Sequence, residues 1–312
     1  MTAQPPSATS GSRSAHHESS IGSRVMAARQ DLRNAGIPPE IADLDARLIA
    51  QHVLGWTTER YLTDVHAAAP DGFGAIYDQL IGRRRAREPV AYIVGHREFW
   101  GLDMEVTPAV LVPRPETELL VEALLESFPD AAAPLRIADA CTGSGCVAIA
   151  IARERSAAHV VATDISGTAL AVARRNAERH QVANRITLVC ADLLRGLAAP
   201  FDAIVANPPY VPFCDGPAVV PEVAHREPAL ALFAGEDGMA MIEQLVPQAP
   251  ALIREGGMLM FEFGFGQADL VAGVIAGTPC LTLVELRRDL QDIPRVAIAR
   301  RTTNGGAGGH RG

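Results

Sequence analysis

The apolar run Phe201-Asp202-Ala203-Ile204-Val205-Ala206 is closed at once by Asn207-Pro208-Pro209-Tyr210, and this junction limits the possible folds more than any other stretch. A short β-rich segment ending at two prolines predicts a buried strand that stops there. Proline has no N–H for a sheet ladder, and it keeps the residue before it out of the helical region. Asn207 is then extended at the C-terminal end of a strand, the edge at which open α/β sheets bind their ligands. Such a corner would present the Asn207 carboxamide oxygen, the Pro208 carbonyl and the flat ring of Tyr210, a set suited to gripping a planar NH2 group. Taken alone, the four residues read equally well as a turn behind a strand.

Residues upstream tip that balance. An expected strand at 135–138 runs into Asp139-Ala140-Cys141-Thr142-Gly143-Ser144-Gly145-Cys146, with the helical stretch Val147-Ala148-Ile149-Ala150-Ile151 behind it. Glycines let backbone approach a ligand closely, and a helix N-terminus offers free N–H groups to an anion. Cys141, Thr142, Gly143, Ser144 and Gly145 are therefore candidates for holding a cofactor, although the turn is not the Gly-x-Gly-x-x-Gly of nicotinamide sites. A second strand at 159–163 leads into Asp164, and 164 − 143 = 21 positions separate it from Gly143. A carboxylate at that distance takes the hydroxyls of a ribose; a structural turn with Ser166 capping a helix is the plain alternative. A third strand at 186–189 is followed by Asp192-Leu193, an acid and an apolar side chain suited to the amino group and the face of an adenine.

Further strands are expected at 201–206, 258–263, 281–285 and 296–299. Helices are expected after Gly145, after Ser166, around 239–253 and around 267–275. This alternation predicts an α/β fold with a mostly parallel sheet covered on both faces.

Ahead of it, residues 24–87 carry a helical pattern. Val25, Leu32, Ala42, Ala46, Ile49 and Val53 fall at helical spacings, broken at Gly36-Ile37-Pro38-Pro39. Another helix runs from Asp71 into Arg83-Arg84-Arg85. Those arginines either complement a helix C-terminus or form a partner-binding patch. Two β-rich runs, at 89–95 and 102–106, flank a polar segment and predict a hairpin between the domains. The pair Phe99-Trp100 in that segment either plugs an interface or meets a substrate, and Phe99 is carried as a substrate-contacting candidate. Pro115, Glu116 and Glu118 suit a helix start ahead of Leu119, Leu120, Ala123 and Leu124. The expected organisation is a disordered leader over 1–20, a helical domain over 21–88, a hairpin linker over 89–112, a main domain over 113–303 and a disordered tail over 304–312.

Composition removes several classes of function. All 28 basic residues are arginine, so no lysine is present for Schiff-base or Walker-type chemistry. A formal charge of −8 opposes broad phosphate-driven binding of nucleic acid. Five cysteines, at 141, 146, 190, 214 and 280, form no metal or redox spacing and predict reduced, mostly buried thiols in a cytoplasmic protein. The nine histidines make no ligand set, so no metal is expected. No apolar run has the length of a membrane span.

Taken together, the Gly-containing turn, the ribose acid, the adenine pair and Asn207-Pro208-Pro209-Tyr210 resemble the class I S-adenosylmethionine-dependent methyltransferases that act on NH2 groups of planar π systems. With Phe99-Trp100-Gly101, the block Pro113-Arg114-Pro115-Glu116-Thr117-Glu118 and Glu236-Asp237-Gly238, the chain more narrowly resembles the HemK/PrmC family. Those proteins are protein-(glutamine-N5) methyltransferases of peptide-chain release factors. The resemblance implies a helical substrate-binding domain, a hairpin, and a Rossmann-like domain whose seven-stranded sheet ends in an antiparallel strand. It implies S-adenosylmethionine as cofactor, a class I release factor as partner and the glutamine of its Gly-Gly-Gln loop as target, with a monomer expected. Asn207, Pro208 and Tyr210 would be the catalytic set, with Pro209 beside them at the substrate and Asn207 also touching the cofactor. One position departs: the family usually has glycine where this chain has Cys141, a strained substitution if positive φ is required there. Two rivals stay open, an N-methyltransferase of rRNA guanine or DNA adenine and a non-catalytic translation-factor-binding protein of the same fold.

Overall fold

The computed structural model describes residues 20–216 and 220–303. The expected tail, and the leader apart from Ser20, lie outside those residues. The chain divides into two units, the first ending at Ala86 and the second beginning at Arg87.

The first unit is helical: α1 (Ile21–Asn34), α2 (Pro39–Leu54), α3 (Thr58–Asp64) and α4 (Phe73–Arg85). Ser20 caps α1 through its side chain, Pro39 begins α2, and Gly55 ends α2 in the left-handed conformation. Ile21, Val25, Ala28 and Leu32 of α1 are buried at helical spacing, as are Phe73, Tyr77 and Ile81 of α4. The arginine run proves to have a third role. Arg84 is buried and its Nε donates to Asp45 at 2.6 Å, so the middle arginine ties α4 to α2 inside the unit.

The second unit opens with a short helix, α5 (Val90–Val94), where a strand was expected. Pro89 stands at its N-cap and Gly95, at φ 85°, closes it, so the flanking residues rather than the β-rich interior decided the conformation. The hairpin is correspondingly shifted, pairing β1 (His96–Phe99) with β2 (Leu102–Glu105). Its two-residue turn is Trp100-Gly101, both at positive φ, the type that suits the right-handed twist of paired strands.

The remainder alternates: the 3-10 turn Pro115–Thr117, α6 (Glu118–Ser127), β3 (Arg136–Ala140), α7 (Cys146–Glu154), β4 (His159–Asp164), α8 (Gly167–Arg179), β5 (Ile186–Cys190), β6 (Phe201–Ala206), α9 (Pro221–Arg226), α10 (Ala240–Leu252), β7 (Ile253–Glu262), α11 (Ala268–Ala276), β8 (Leu281–Arg288) and β9 (Pro294–Arg301). Among the described residues the sheet has seven strands in the order β5-β4-β3-β6-β7-β9-β8. Neighbours from β5 to β7 are parallel, and β9 is antiparallel to both β7 and β8. Successive residues face opposite layers. Ile137, Ala203, Val205 and Met260 pack on the side that carries α6 and α7, while Ala138, Ile204, Ala206 and Phe261 pack with α10 and α11. Burial of both faces explains why these strands read as continuous apolar runs.

The five cysteines are free thiols. The expectation that most are buried fails: Cys146 is buried, Cys141 and Cys280 are half-buried, and Cys190 and Cys214 are exposed. Cys190 ends β5 at the sheet edge and Cys214 stands in the 3-10 turn Phe213–Asp215, positions where apolar sequence neighbours do not imply burial.

Candidate active site

Strand order reverses beside β3: β4 and β5 follow on one side, β6 and β7 on the other. The ends of β3 and β6 therefore part, and a crevice opens where the connecting chains leave in opposite directions. A cavity of about 350 Å³ lies there, lined among others by Cys141, Thr142, Gly143, Ser144, Asp164, Asp192, Leu193, Asn207 and Pro209. That is within the ~300–1,000 Å³ of small-molecule sites.

On the β3–β4 side the geometry is built from short-range bonds. The Thr142 hydroxyl donates to Asp139 at 2.6 Å, and the Thr142 N–H donates to Thr163. Asp164 takes the Gly143 N–H on one oxygen at 2.9 Å and the Ser166 N–H on the other at 2.8 Å. Each oxygen keeps a further lone pair for a ligand hydroxyl. Burial raises the Asp164 pKa, and the two backbone donors pull it back. Asp139 is fully buried, which pushes its pKa up to about 7 against the Thr142 bond. Gly145 does not line the cavity. Its φ is 81°, and a Cβ there would lie 3.1 Å from the Ala173 Cβ, so glycine is needed to seat α7 against α8. Cys141 does stand at positive φ, 59°, so the strain foreseen for a non-glycine residue is present.

At the β6 end, Asn207 lines the cavity and its Nδ2 donates to the Thr117 hydroxyl at 3.0 Å. Thr117 is buried. Tyr210, half-buried, donates its hydroxyl to Glu262 at 2.8 Å, and its carbonyl accepts from Gln267. Burial and the neighbouring Glu262 carboxyl push the Tyr210 pKa well up. Glu262 is itself buried at the end of β7, and its own pKa is raised by that burial. The Tyr210 hydrogen bond, the neighbouring Thr117 hydroxyl and the charge of Arg295 oppose the rise, and Glu116 adds to it. Glu227, also buried, accepts from the Val112 N–H at 3.1 Å and from Arg114 at 2.5 Å, holding residues 112–114 at the cavity wall.

Of the residues singled out from sequence, Gly145, Pro208 and Tyr210 do not line the cavity; Pro208 follows Asn207 directly and Tyr210 stands three positions on. Phe99 requires a correction. It is 1% exposed and packs with Met104, Leu120 and Leu124 in the core, so it is not in a position to meet a substrate. Its neighbour Trp100, in the hairpin turn, is the more accessible of the pair and donates Nε1 to Glu154. Sequence reasoning missed Thr117, Glu262 and Gln267, together with the cavity-wall residues Leu230 and Phe233. Thr117 lies inside the Pro113–Glu118 block, and Glu262 closes a strand as Asp164 does; that common placement was the available signal. Among the described residues no group of three His, Cys, Asp or Glu side chains is arranged to hold a metal, and no helix is long and apolar enough to cross a membrane.

Comparison with known proteins adds a family to this geometry. The Methyltransferase small domain matches residues 115–227, and the PrmC N-terminal domain matches residues 25–95. A release factor glutamine methyltransferase of Geobacter sulfurreducens is 47% identical over 64% of this chain and 69% of its own length. Its counterpart from Rhodospirillum rubrum is 41% identical over 84% of this chain and 79% of its own. Among solved structures, the catalytic domain of hMettl16 in complex with a 3′UTR hairpin superposes with a TM-score of 0.53 at 17% identity, covering 71% of this chain and 82% of that one, a likeness of fold alone. The two family models fall largely in the two units and the Rhodospirillum rubrum relative is 41% identical over 84% of this chain, so the chain belongs to the release factor glutamine methyltransferase family.

Proposed function

We propose that the chain transfers a methyl group from S-adenosylmethionine to the side-chain amide nitrogen of a glutamine in a class I peptide-chain release factor, the glutamine of the Gly-Gly-Gln loop. The observation that carries this reading is the placement of Asn207. It closes a buried strand at the switch point, lines the cavity, and keeps its Oδ1 free of hydrogen bonds among the described residues.

The residues present fit the cofactor. Asp164 retains lone pairs toward a ribose, while Asp192 and Leu193 offer an acceptor and an apolar face to an adenine. Thr142 through Ser144 bring backbone to the same cavity. The cofactor supplies a methyl group already activated on a sulfonium, which leaves positioning and electrostatics to the protein. An amide nitrogen is a poor nucleophile because its lone pair is delocalised into the carbonyl. Asn207 Oδ1 and the Pro208 carbonyl accept its two N–H groups, which fixes its orientation and raises electron density on nitrogen. Tyr210, with its hydroxyl anchored on Glu262, supplies the flat side of the grip.

The helical unit selects the protein substrate in this reading, because one glutamine side chain has too little surface to be chosen from all others. A chain beginning near Val90, shown folded by circular dichroism, should bind S-adenosylmethionine and methylate intact release factor far more slowly. Equal rates for the two chains would remove that role. The enzyme works as a cytoplasmic monomer on protein, and light scattering at assay concentration reads the oligomeric state. The decisive experiment incubates the protein with labelled S-adenosylmethionine and either a release factor, stripped RNA or DNA, and maps the label by mass spectrometry. Label on the Gly-Gly-Gln glutamine is expected; label confined to nucleic acid would overturn the proposal.

A further inference from the structure

An asparagine at a strand end can turn either end of its amide to a ligand, and the two choices have opposite chemistry. With Oδ1 toward the cavity, Asn207 accepts from a substrate NH2. With Nδ2 there, it repels it. Nothing in the residue itself selects between them. The selection must come from whatever holds the other end.

That holder is the Thr117 hydroxyl, 3.0 Å from Asn207 Nδ2. A hydroxyl is an ambiguous partner, since it can accept from Nδ2 or donate to Oδ1. The ambiguity is lifted only if its single proton is committed elsewhere. The structure supplies the place. Glu262 is 1% exposed, one of its oxygens takes the Tyr210 hydroxyl at 2.8 Å, and the other, Oε2, is buried with no hydrogen bond. The Thr117 hydroxyl lies beside this same carboxyl, near enough to pull its pKa down. Leaving a buried carboxyl oxygen unpaired is costly, so the Thr117 proton is drawn toward it. Thr117 then shows only lone pairs to Asn207, which must answer with Nδ2.

We propose that Thr117, backed by the buried carboxyl of Glu262, is a positioning residue that locks the Asn207 amide with its oxygen toward the cavity. Donated protons run one way, from the Tyr210 and Thr117 hydroxyls toward Glu262 and from the Asn207 Nδ2–H group to the Thr117 oxygen. Glu262 lies outside the cavity lining, and Thr117, which borders the cavity, acts through Asn207. Both are supplied by parts of the sequence remote from Asn207, the 3-10 turn Pro115–Thr117 and the end of β7. The inference rests on Asn207 being the residue that accepts the target amide.

The test uses the full chain and four variants, measuring kcat on intact release factor and, separately, cofactor affinity by calorimetry. Thr117→Val keeps shape and removes the hydroxyl, so kcat should fall about ten- to a hundredfold, the scale of a misaligned positioning contact, with cofactor affinity within about twofold of the parent. Thr117→Ser restores the hydroxyl and should recover most of the lost rate. Glu262→Gln should also lower kcat, because its amide donates to Thr117 and lets the chain of protons run backwards. Asn207→Ala is the control for the reading beneath. If Asn207→Ala is inactive while folded Thr117→Val and Glu262→Gln turn over like the parent, the lock is wrong. If Thr117→Val does not fold, the Thr117→Ser and Glu262→Gln pair decides: a slow Glu262→Gln with unchanged cofactor affinity supports the lock, and a parental rate overturns it. Should Asn207→Ala itself remain fully active, the assignment of Asn207 fails and the lock falls with it.

Discussion

The two sides of the cavity are made in different ways. On the β3–β4 side every polar group finds its partner within two consecutive strands and their turns: Thr142 on Asp139 three residues away, Ser166 on Asp164 two away, Gly143 on Asp164 twenty-one away. On the β6–β7 side the partners come from distant segments, with Asn207 on Thr117 ninety residues away, Tyr210 on Glu262 fifty-two away and Gln267 on Tyr210 fifty-seven away. The first side needs only the turn after β3 and the end of its neighbour β4, two consecutive strands. The second exists only when the sheet has assembled. A cofactor shared by many enzymes can be served by a local device, whereas gripping one amide requires side chains whose rotamers are fixed from several directions.

If that division is right, substitutions on the two sides should separate binding from turnover. Asn207→Ala is the largest expected effect. Turnover should fall by at least about a hundredfold, the cost of losing one well-placed electrostatic contact, while cofactor affinity stays close to the parent. Asp164→Ala should do the reverse. The lost charge-assisted hydrogen bonds correspond to roughly 1.5–3 kcal/mol, about ten- to a hundredfold in the cofactor dissociation constant, with kcat at saturating cofactor little changed. Calorimetry for binding and single-turnover assays for chemistry give both numbers on the same samples. An Asp164→Ala variant with parental affinity would place the ribose elsewhere, and an Asn207→Ala variant that cannot bind cofactor would erase the division.

The same contrast explains what could be read from sequence. The strand run at 201–206 matches β6 residue for residue, and the turn from Asp139 to Cys146 and the acid at 164 stand where their spacing put them, because each is decided by neighbours in the chain. The run at 89–95 went wrong because its β-rich interior was weighed above Pro89 and Gly95, the residues that set its ends. Phe99 was misread because aromatic character does not say which way a strand faces, and here the burial pattern of β1 turns it into the core. Thr117 and Glu262 were invisible as partners, since no local pattern links residues on two segments that meet only across the sheet.

A smaller effect probes how dry the β3 side is. Asp139 has its pKa raised by burial from 3.8 to about 7, with Thr142 and the Ala148 backbone opposing and Asp164 reinforcing the shift. Across that window the folded chain holds a proton that the unfolded chain has released, so stability falls as pH rises from about 4 to about 7. Asp139→Asn keeps an acceptor for Thr142 and removes the titration. Urea unfolding at about pH 5 and about pH 7 should show the parent losing about 2 kcal/mol more than the variant on going to the higher pH. Identical slopes for the two proteins would mean that Asp139 is hydrated in solution and contributes no such term.

The smallest effect tests the one place where the local device is imperfect. Cys141 holds φ at 59°, a region in which a side chain costs about 1 kcal/mol or more because Cβ crowds the following carbonyl. Against that stands its packing: the thiol is half-buried against the cluster that contains Ala140 and Leu193, and burial pushes its pKa far up, so it acts as a small apolar group and not as a nucleophile. Cys141→Gly relieves the backbone and gives up the thiol contacts, and glycine adds freedom to the unfolded chain. These terms oppose one another, and a net gain of about 0.5–1 kcal/mol is expected because the thiol is only half-buried. Cys141→Val separates the causes. It enlarges the apolar contact but places a β-branched residue at positive φ, so it should destabilise by about 1–2 kcal/mol if the backbone governs the site. Were the valine variant the more stable and the glycine variant the less, packing would outweigh strain, and Cys141 would be a filler of the cavity floor in its own right.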